Sequence, residues 1–93
     1  MIIGIVRAEF YFPQSGSLKE KRMVVQSLKQ KLRADFNVAV AEVGGHDKWQ
    51  RATLAFVTVG TDKASVNSQL SRLVNRFEFS GDAQLLDYEL ELM

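Results

Sequence analysis

The chain contains no cysteine, one histidine, one tryptophan and one proline among its 93 residues. The lack of cysteine excludes disulfides, thiolate metal sites and cysteine nucleophiles. No apolar run comes close to the roughly 18 residues that a membrane-spanning helix needs. No basic segment leads into an apolar one at the N-terminus, as it does in a secretory signal. We therefore expect a cytoplasmic protein without membrane association that forms a single domain over residues 1–93.

The charges balance overall but are unevenly distributed along the chain. The net charge of +1 is too small for general attraction to nucleic acid. Residues 1–51 hold nine basic and five acidic side chains, whereas residues 52–93 hold three basic and six acidic ones. Either the two halves neutralise each other across a shared sheet, or the molecule presents one basic face to a polyanion.

Apolar periodicity predicts four strands and two helices. Segments that are rich in β-branched and aromatic residues, or that alternate between apolar and polar residues, predict strands at 2–12, 36–43, 51–59 and 82–92. Apolar residues at the 3.6-residue period predict one helix from Ser17 to about Ala34, and a second from Thr61 or Asp62 through Phe77. Ser17 with Glu20 three residues later predicts a capping box. Gly44-Gly45 and Ser80-Gly81 predict turns.

The order β-α-β-β-α-β predicts an α+β fold, the ferredoxin-like βαββαβ sandwich. In this fold a four-stranded antiparallel sheet has two helices on one face, so its other face stays open. The first strand is apolar on both sides, with Ile3 and Ile5 opposite Ile2 and Val6. The third likewise carries Leu54 and Phe56 on one side and Val57 and Val59 on the other, so apolar residues fall on the open face whichever side the helices cover. Because large exposed apolar patches usually mark interfaces, we expect a homodimer that associates through sheet faces or edges. The alternative is a monomer, in which charged residues such as Arg7 interrupt the patch.

The first helix carries a row of cations on one flank. Arg22, Gln26, Lys29 and Arg33 are spaced i, i+4, i+7 and i+11, and Lys19 lies in the opening turn. Arginine and lysine bind phosphate groups, and a helix N-terminus adds backbone donors. We predict a polyanion-binding surface formed by Lys19, Arg22, Lys29 and Arg33. The alternative is an ordinary solvated helix face.

Lys21 falls on the apolar stripe of the same helix. Its stem can lie along the seam between helix and sheet while the ammonium reaches a partner at the sheet edge. The topology favours Glu42 as that partner. We predict a Lys21–Glu42 ion pair that is structural, with a catalytic role as the lesser alternative.

The predicted hairpin loop, HDKWQR from His46 to Arg51, is the second candidate segment. Asp47, Trp49, Gln50 and Arg51 are its candidate residues, for either an interaction or a structural role. The Trp49 indole either stacks on a base or anchors a partner, or it folds back and closes the core. A single histidine without a partnered nucleophile is weak support for a general base at His46. We predict no catalytic residues, no cofactor and no metal site.

Three segments carry a resemblance to a known family: SLKEKR (17–22), FNVAVAEV (36–43) and WQR (49–51). In this order and spacing the chain resembles the bacterial YlxP-like family, a domain of unknown function. The resemblance implies a ferredoxin-like fold, self-association and no established catalytic residues. It also implies genomic neighbours that act in transcription, translation initiation and ribosome maturation, and hence a role near RNA. The matching positions are Ser17, Leu18, Lys19, Glu20, Lys21, Arg22, Asn37, Val38, Val40, Glu42, Asp47, Trp49, Gln50 and Arg51.

Three function hypotheses follow. The first is a homodimeric, non-enzymatic accessory factor that binds RNA or a ribosomal particle through helix and loop, because the strands lack the paired surface aromatics of RNA-binding sheets. The second is a protein–protein interaction module that binds no nucleic acid. The third is a small enzyme or ligand-binding domain that uses Lys21, Glu42, His46 and Arg51.

Overall fold

The structure is a computed structural model, and it describes residues 1–77 and 81–93. Its elements are β1 (Ile2–Tyr11), α1 (Leu18–Asp35), β2 (Ala39–Gly44), β3 (Arg51–Gly60), α2 (Lys63–Phe77) and β4 (Gln84–Leu92). The strands form one antiparallel sheet in the order β2-β3-β1-β4. The predicted ferredoxin-like fold is confirmed. Within the described residues, no helix has both the length and the hydropathy to cross a membrane.

The core lies between the two helices and one face of the sheet. Alternate residues of β1 and β3 are buried there, among them Phe10 and Phe56. The Phe77 ring of α2 packs against both, with centroid distances of 5.1 Å to Phe10 and 5.0 Å to Phe56. Burial of each such side chain stabilises the fold by about 1.5–3 kcal/mol. The buried side chains of β1 and β3 therefore lie on the face that the helices cover.

Gly4 allows α2 to approach β1 closely. A Cβ atom at this position would lie 2.6 Å from both Leu70 Cδ1 and Val66 Cγ1, which is closer than van der Waals contact allows. The missing side chain thus sets the distance between helix and strand.

The helix ends differ in detail from the prediction. Helix α1 ends at Asp35, and the Phe36 amide donates to Leu32 O at 2.9 Å, so strand β2 starts at Ala39 and not at residue 36. Asp62 caps α2, because its carboxylate accepts from the Ser65 amide at 3.0 Å. Of the predicted Ser80-Gly81 turn, Ser80 lies outside the described residues.

A bulge in β4 changes which leucine faces the core. The pairing between β1 and β4 shifts between Glu9 and Phe10, so that Phe10 lies opposite Leu85. Leu85 packs against the core, whereas Leu86 is 47% exposed. Strict alternation along the strand predicted at 82–92 puts Leu86 on the same side as Leu90, and the bulge overturns this, since an extra residue in one strand reverses the facing of those beyond it.

Candidate functional site

The start of α1 is closed by its own side chains. Ser17 Oγ accepts from the Glu20 amide at 3.1 Å, and Glu20 Oε2 accepts from the Gly16 amide at 2.9 Å. The carboxylate therefore reaches one residue earlier than in the predicted capping box. The Glu20 amide is therefore already bonded, and the Glu20 carboxylate places a negative charge at this end that opposes phosphate binding there. We expect attraction for anions to come mainly from the side chains of the flank.

Lys21 is fully buried, and it joins three parts of the chain. Its ammonium donates to Glu42 Oε2 at 3.1 Å, to Gly45 O at 2.7 Å and to Arg51 O at 3.2 Å. These bonds use all three donors of a lysine. The structure thus brings together the predicted Lys21–Glu42 pair and adds two backbone acceptors. We call this arrangement the Lys21 clamp.

The clamp depends on the backbone conformation of Gly45. Its φ is +75°, in the left-handed region that glycine adopts readily. Its carbonyl accepts from both Lys21 and the Lys48 amide, the latter at 3.0 Å. His46 Nε2 lies 3.1 Å from Glu42 O and completes the turn. His46 is therefore part of the loop framework.

Gln50 ties the hairpin loop to the segment between β1 and α1. Its side-chain amide donates to Ser15 O at 3.1 Å, and its backbone carbonyl accepts from the Phe12 amide at 2.8 Å. Arg51 is half-exposed, and its guanidinium lies 3.5 Å from Glu9 Oε2. Gln50 and Arg51 thus have partners within the chain, whereas Asp47 is exposed.

Trp49 is 57% exposed. The interpretation that its indole folds back and closes the core is therefore wrong. The sequence favoured that interpretation because a lone indole in a short loop is usually packed. Here the loop is closed by the Lys21 clamp and by Gln50, so the indole is not needed for closure. Trp49 is therefore a surface residue on a loop whose backbone is held by hydrogen bonds to Lys21 and from Gln50.

The cationic row lies on one flank of α1. Lys19, Arg22 and Arg33 are exposed and Lys29 is half-buried. Ion pairs among the described residues are Lys21–Glu42, Arg51–Glu9 and Arg76–Asp35, and none of them involves the row. From Arg22 to Arg33 the row extends about 16 Å along the helix axis. At its start lies a shallow depression lined by Lys19, Arg22, Met23, Gln26, Ser27 and Gln30.

A second groove lies on the opposite flank of α1, against the segment before β4. Val24, Leu28 and Ala83 are among its apolar lining residues, and Lys31 and Arg76 are its cations. It contains none of the site residues that the sequence predicts. Because Lys31 faces this groove, the cationic row faces away from α2.

The open face of the sheet has an apolar half and a charged half. Ile3, Ile5 and their partners Val59 and Val57 form the apolar half, where Val59 is 55% exposed. Along β1, β3 and β4 the other half carries two arginines and three carboxylates: Arg7, Arg51, Glu9, Asp87 and Glu89. A fourth carboxylate, Glu91, lies opposite Ile5 at the β4 edge of the apolar half. The open face is therefore net negative and unsuited to a polyanion.

Metal ligands are not clustered in the part of the chain that the structure describes. Within residues 1–77 and 81–93 no group of three or more histidines, aspartates or glutamates could hold a metal ion. The third hypothesis needs Lys21, Glu42, His46 and Arg51 to face a ligand. The structure instead shows Lys21 bonded to Glu42 and to the carbonyl of Arg51.

Comparisons with known proteins give a family and no activity. Residues 3–90 match a family described as "Protein of unknown function (DUF503)". The chain is 32% identical over 73 residues to "Uncharacterized protein YlxP" of Bacillus subtilis (strain 168), which covers 78% of this chain and 79% of the relative. The de novo designed protein Foldit4 has a similar fold, with a TM-score of 0.54 and 8% identity over 100% of this chain and 97% of the design. This likeness concerns the fold alone.

Proposed function

The chain belongs to the DUF503 family of proteins of unknown function, and we propose that it is a cytoplasmic, non-enzymatic accessory factor that binds RNA, free or in a ribosomal particle, as a homodimer. One observation carries this proposal. The start of the cationic row and the exposed Trp49 lie at the same end of the molecule. The Lys21 clamp joins them, because it links α1 directly to the hairpin loop.

The charge distribution favours α1 as the RNA-binding side. The row's side chains have no ion-pair partner among the described residues. They are therefore free to exchange bound counterions for phosphate groups, which drives protein–nucleic acid association. The open sheet face is net negative, so RNA should avoid it. Binding of RNA through α1 and the hairpin loop agrees with this distribution of charge.

Salt-dependent binding tests the RNA proposal. We expect a labelled ribosomal RNA fragment to bind, with affinity falling steeply as KCl rises from about 50 to 200 mM. The double variant Arg22→Gln/Arg33→Gln should weaken binding and flatten the salt slope by about 1.4, or about 0.7 for each lost contact to a single strand. Fluorescence anisotropy measures both.

A matched control removes the same charge elsewhere. Lys63→Gln/Arg72→Gln alters two exposed cations of α2 and should leave the salt slope unchanged. Equal losses in the two double variants, or affinity that ignores salt, would count against binding through the row.

The apolar half of the open face supports the homodimer. A second copy would cover Ile3, Ile5, Val57 and Val59 and leave both cationic rows exposed. Val57→Lys should convert a dimer into a monomer in sedimentation velocity experiments. Met23→Lys is the control, because Met23 is 65% exposed on the helix side. A wild-type protein that stays monomeric at high concentration would contradict the dimer.

The same apolar half favours a second candidate, a protein–protein interaction module that binds no nucleic acid. Affinity capture from lysate with and without nuclease separates the two. Loss of partners after nuclease treatment supports RNA binding, and retention of the same partners supports the module.

A further inference from the structure

We propose that the RNA bound at this surface is single-stranded, with one base stacked on the Trp49 indole and the following phosphates along α1 from Arg22 to Arg33. This inference rests on the proposed function and names the class of RNA. It assigns a specific role to Trp49, which is separate from the role of the cations.

The first support is that the loop presents a large aromatic ring from a backbone held by hydrogen bonds. Trp49 as a whole residue is 57% exposed. The backbone around it is fixed by bonds from Lys21 to Gly45 O and Arg51 O, and by the Gln50 bond to Ser15 O. An exposed ring on such a turn can meet a base without ordering the loop first. Preorganisation of this kind lowers the entropic cost of binding.

The second support is the position of the ring relative to the cations. Lys21 lies between Lys19 and Arg22 in the chain, and its ammonium holds the loop against the first turns of α1. The row then runs away from the loop toward Arg33 over about 16 Å. Trp49 is therefore at the head of a linear array of positive charge. A strand that stacks one base there can continue along the row.

The third support is the geometry of RNA itself. In an A-form duplex the bases stack on one another, and the major groove is too narrow for side chains to read. Base stacking on a protein ring needs an unpaired base, as in loops and single strands. Phosphate contacts along α1 do not distinguish a duplex from a single strand. Stacking on the indole does, because it requires an unpaired base. The net negative sheet face gives a duplex no second surface to bind.

Trp49 is the only tryptophan, so its fluorescence reports on this position alone. We expect decauridylate to quench the emission and to protect it from acrylamide, whereas a blunt RNA duplex should do neither. Trp49→Leu should weaken decauridylate binding about tenfold. Trp49→Phe, which keeps an aromatic ring, should stay within about threefold of wild type. Circular dichroism establishes that both variants fold.

The outcomes separate the inference from the proposed function. Salt-dependent binding of both RNAs with unchanged tryptophan emission overturns the stacking inference and leaves RNA binding intact. Equal losses of decauridylate affinity in Trp49→Phe and Trp49→Leu overturn it as well, because an aromatic ring then makes no contribution to binding. Absence of binding to either RNA overturns both proposals. If Trp49→Leu fails to fold, Trp49→Phe and acrylamide protection of the wild type decide.

Discussion

Lys21 and Arg22 are neighbours in the sequence, yet one is fully buried and the other is exposed. Lys21 faces the sheet and donates to Glu42 and to two backbone carbonyls. Arg22 faces solvent at the start of a row with no ion pair among the described residues. One turn of helix thus has an inner cation that holds the fold and an outer cation that is available to a partner.

Exposure to solvent explains why Lys21 and Arg22 have different roles. A buried ammonium loses its hydration, and only a complete set of acceptors offsets that cost. Lys21 has such a set, so its position is fixed. An exposed guanidinium keeps its hydration and its mobility, and it contributes little to stability. The inner cation should therefore respond to tests of folding, and the outer cations to tests of binding.

The largest expected effect on folding is that of Lys21→Met. The variant removes the ammonium donor from Glu42 and from the carbonyls of Gly45 and Arg51, of which Gly45 O keeps only the Lys48 amide. We expect a loss of about 3–5 kcal/mol in the free energy of unfolding, measured by urea denaturation. Lys19→Met, two residues earlier on the exposed side, should change it by less than about 0.5 kcal/mol.

A double variant sharpens this test. Lys21→Met/Glu42→Leu removes the orphaned carboxylate and should recover part of the loss. A loss for Lys21→Met no larger than that for Lys19→Met would show that the clamp does not stabilise the hairpin.

An intermediate effect is expected at the helix start. Ser17→Ala removes the acceptor for the Glu20 amide and should lower the free energy of unfolding by about 1 kcal/mol. Thermal and urea denaturation both measure it. Ser27→Ala is the matched control at an exposed position inside α1, where alanine is neutral or slightly favourable. Equal values for the two serines would contradict the capping role.

The smallest effect on folding belongs to the outer cation. Arg22→Gln should change the free energy of unfolding by less than about 0.5 kcal/mol, because an exposed side chain without a partner is lost. The urea midpoint should match that of the wild type. A destabilisation as large as that of Ser17→Ala would mean that Arg22 has a structural role, and the contrast with Lys21 would fail.

Most of the fold could be predicted because its elements have strong local signals. The apolar stripe of α2, with Val66, Leu70 and Phe77, identified a helix that the structure contains. Two features lacked such signals. The bulge that exposes Leu86 depends on how β4 pairs with β1, and the late start of β2 depends on the backbone around Phe36. Both are set by tertiary context.

The site was predictable only in part, for a similar reason. Lys21 on an apolar stripe predicted a partner at the sheet edge, and the predicted topology identified Glu42. The other two acceptors are backbone carbonyls, whose directions depend on the left-handed conformation of Gly45. The exposure of Trp49 follows from the same loop geometry. No pattern of residue types encodes it.

The sheet order has a consequence for how the molecule folds. Strand β1 precedes the other three strands in this sequence, yet it lies between β3 and β4 in the sheet. One of its two neighbours therefore comes from the far end of the sequence, since Gly4 pairs with Leu92. Such distant pairings slow folding, because a long stretch of chain must close before the contact forms. Until β4 has been synthesised, the backbone groups on that edge of β1 have no partner and can pair with another chain.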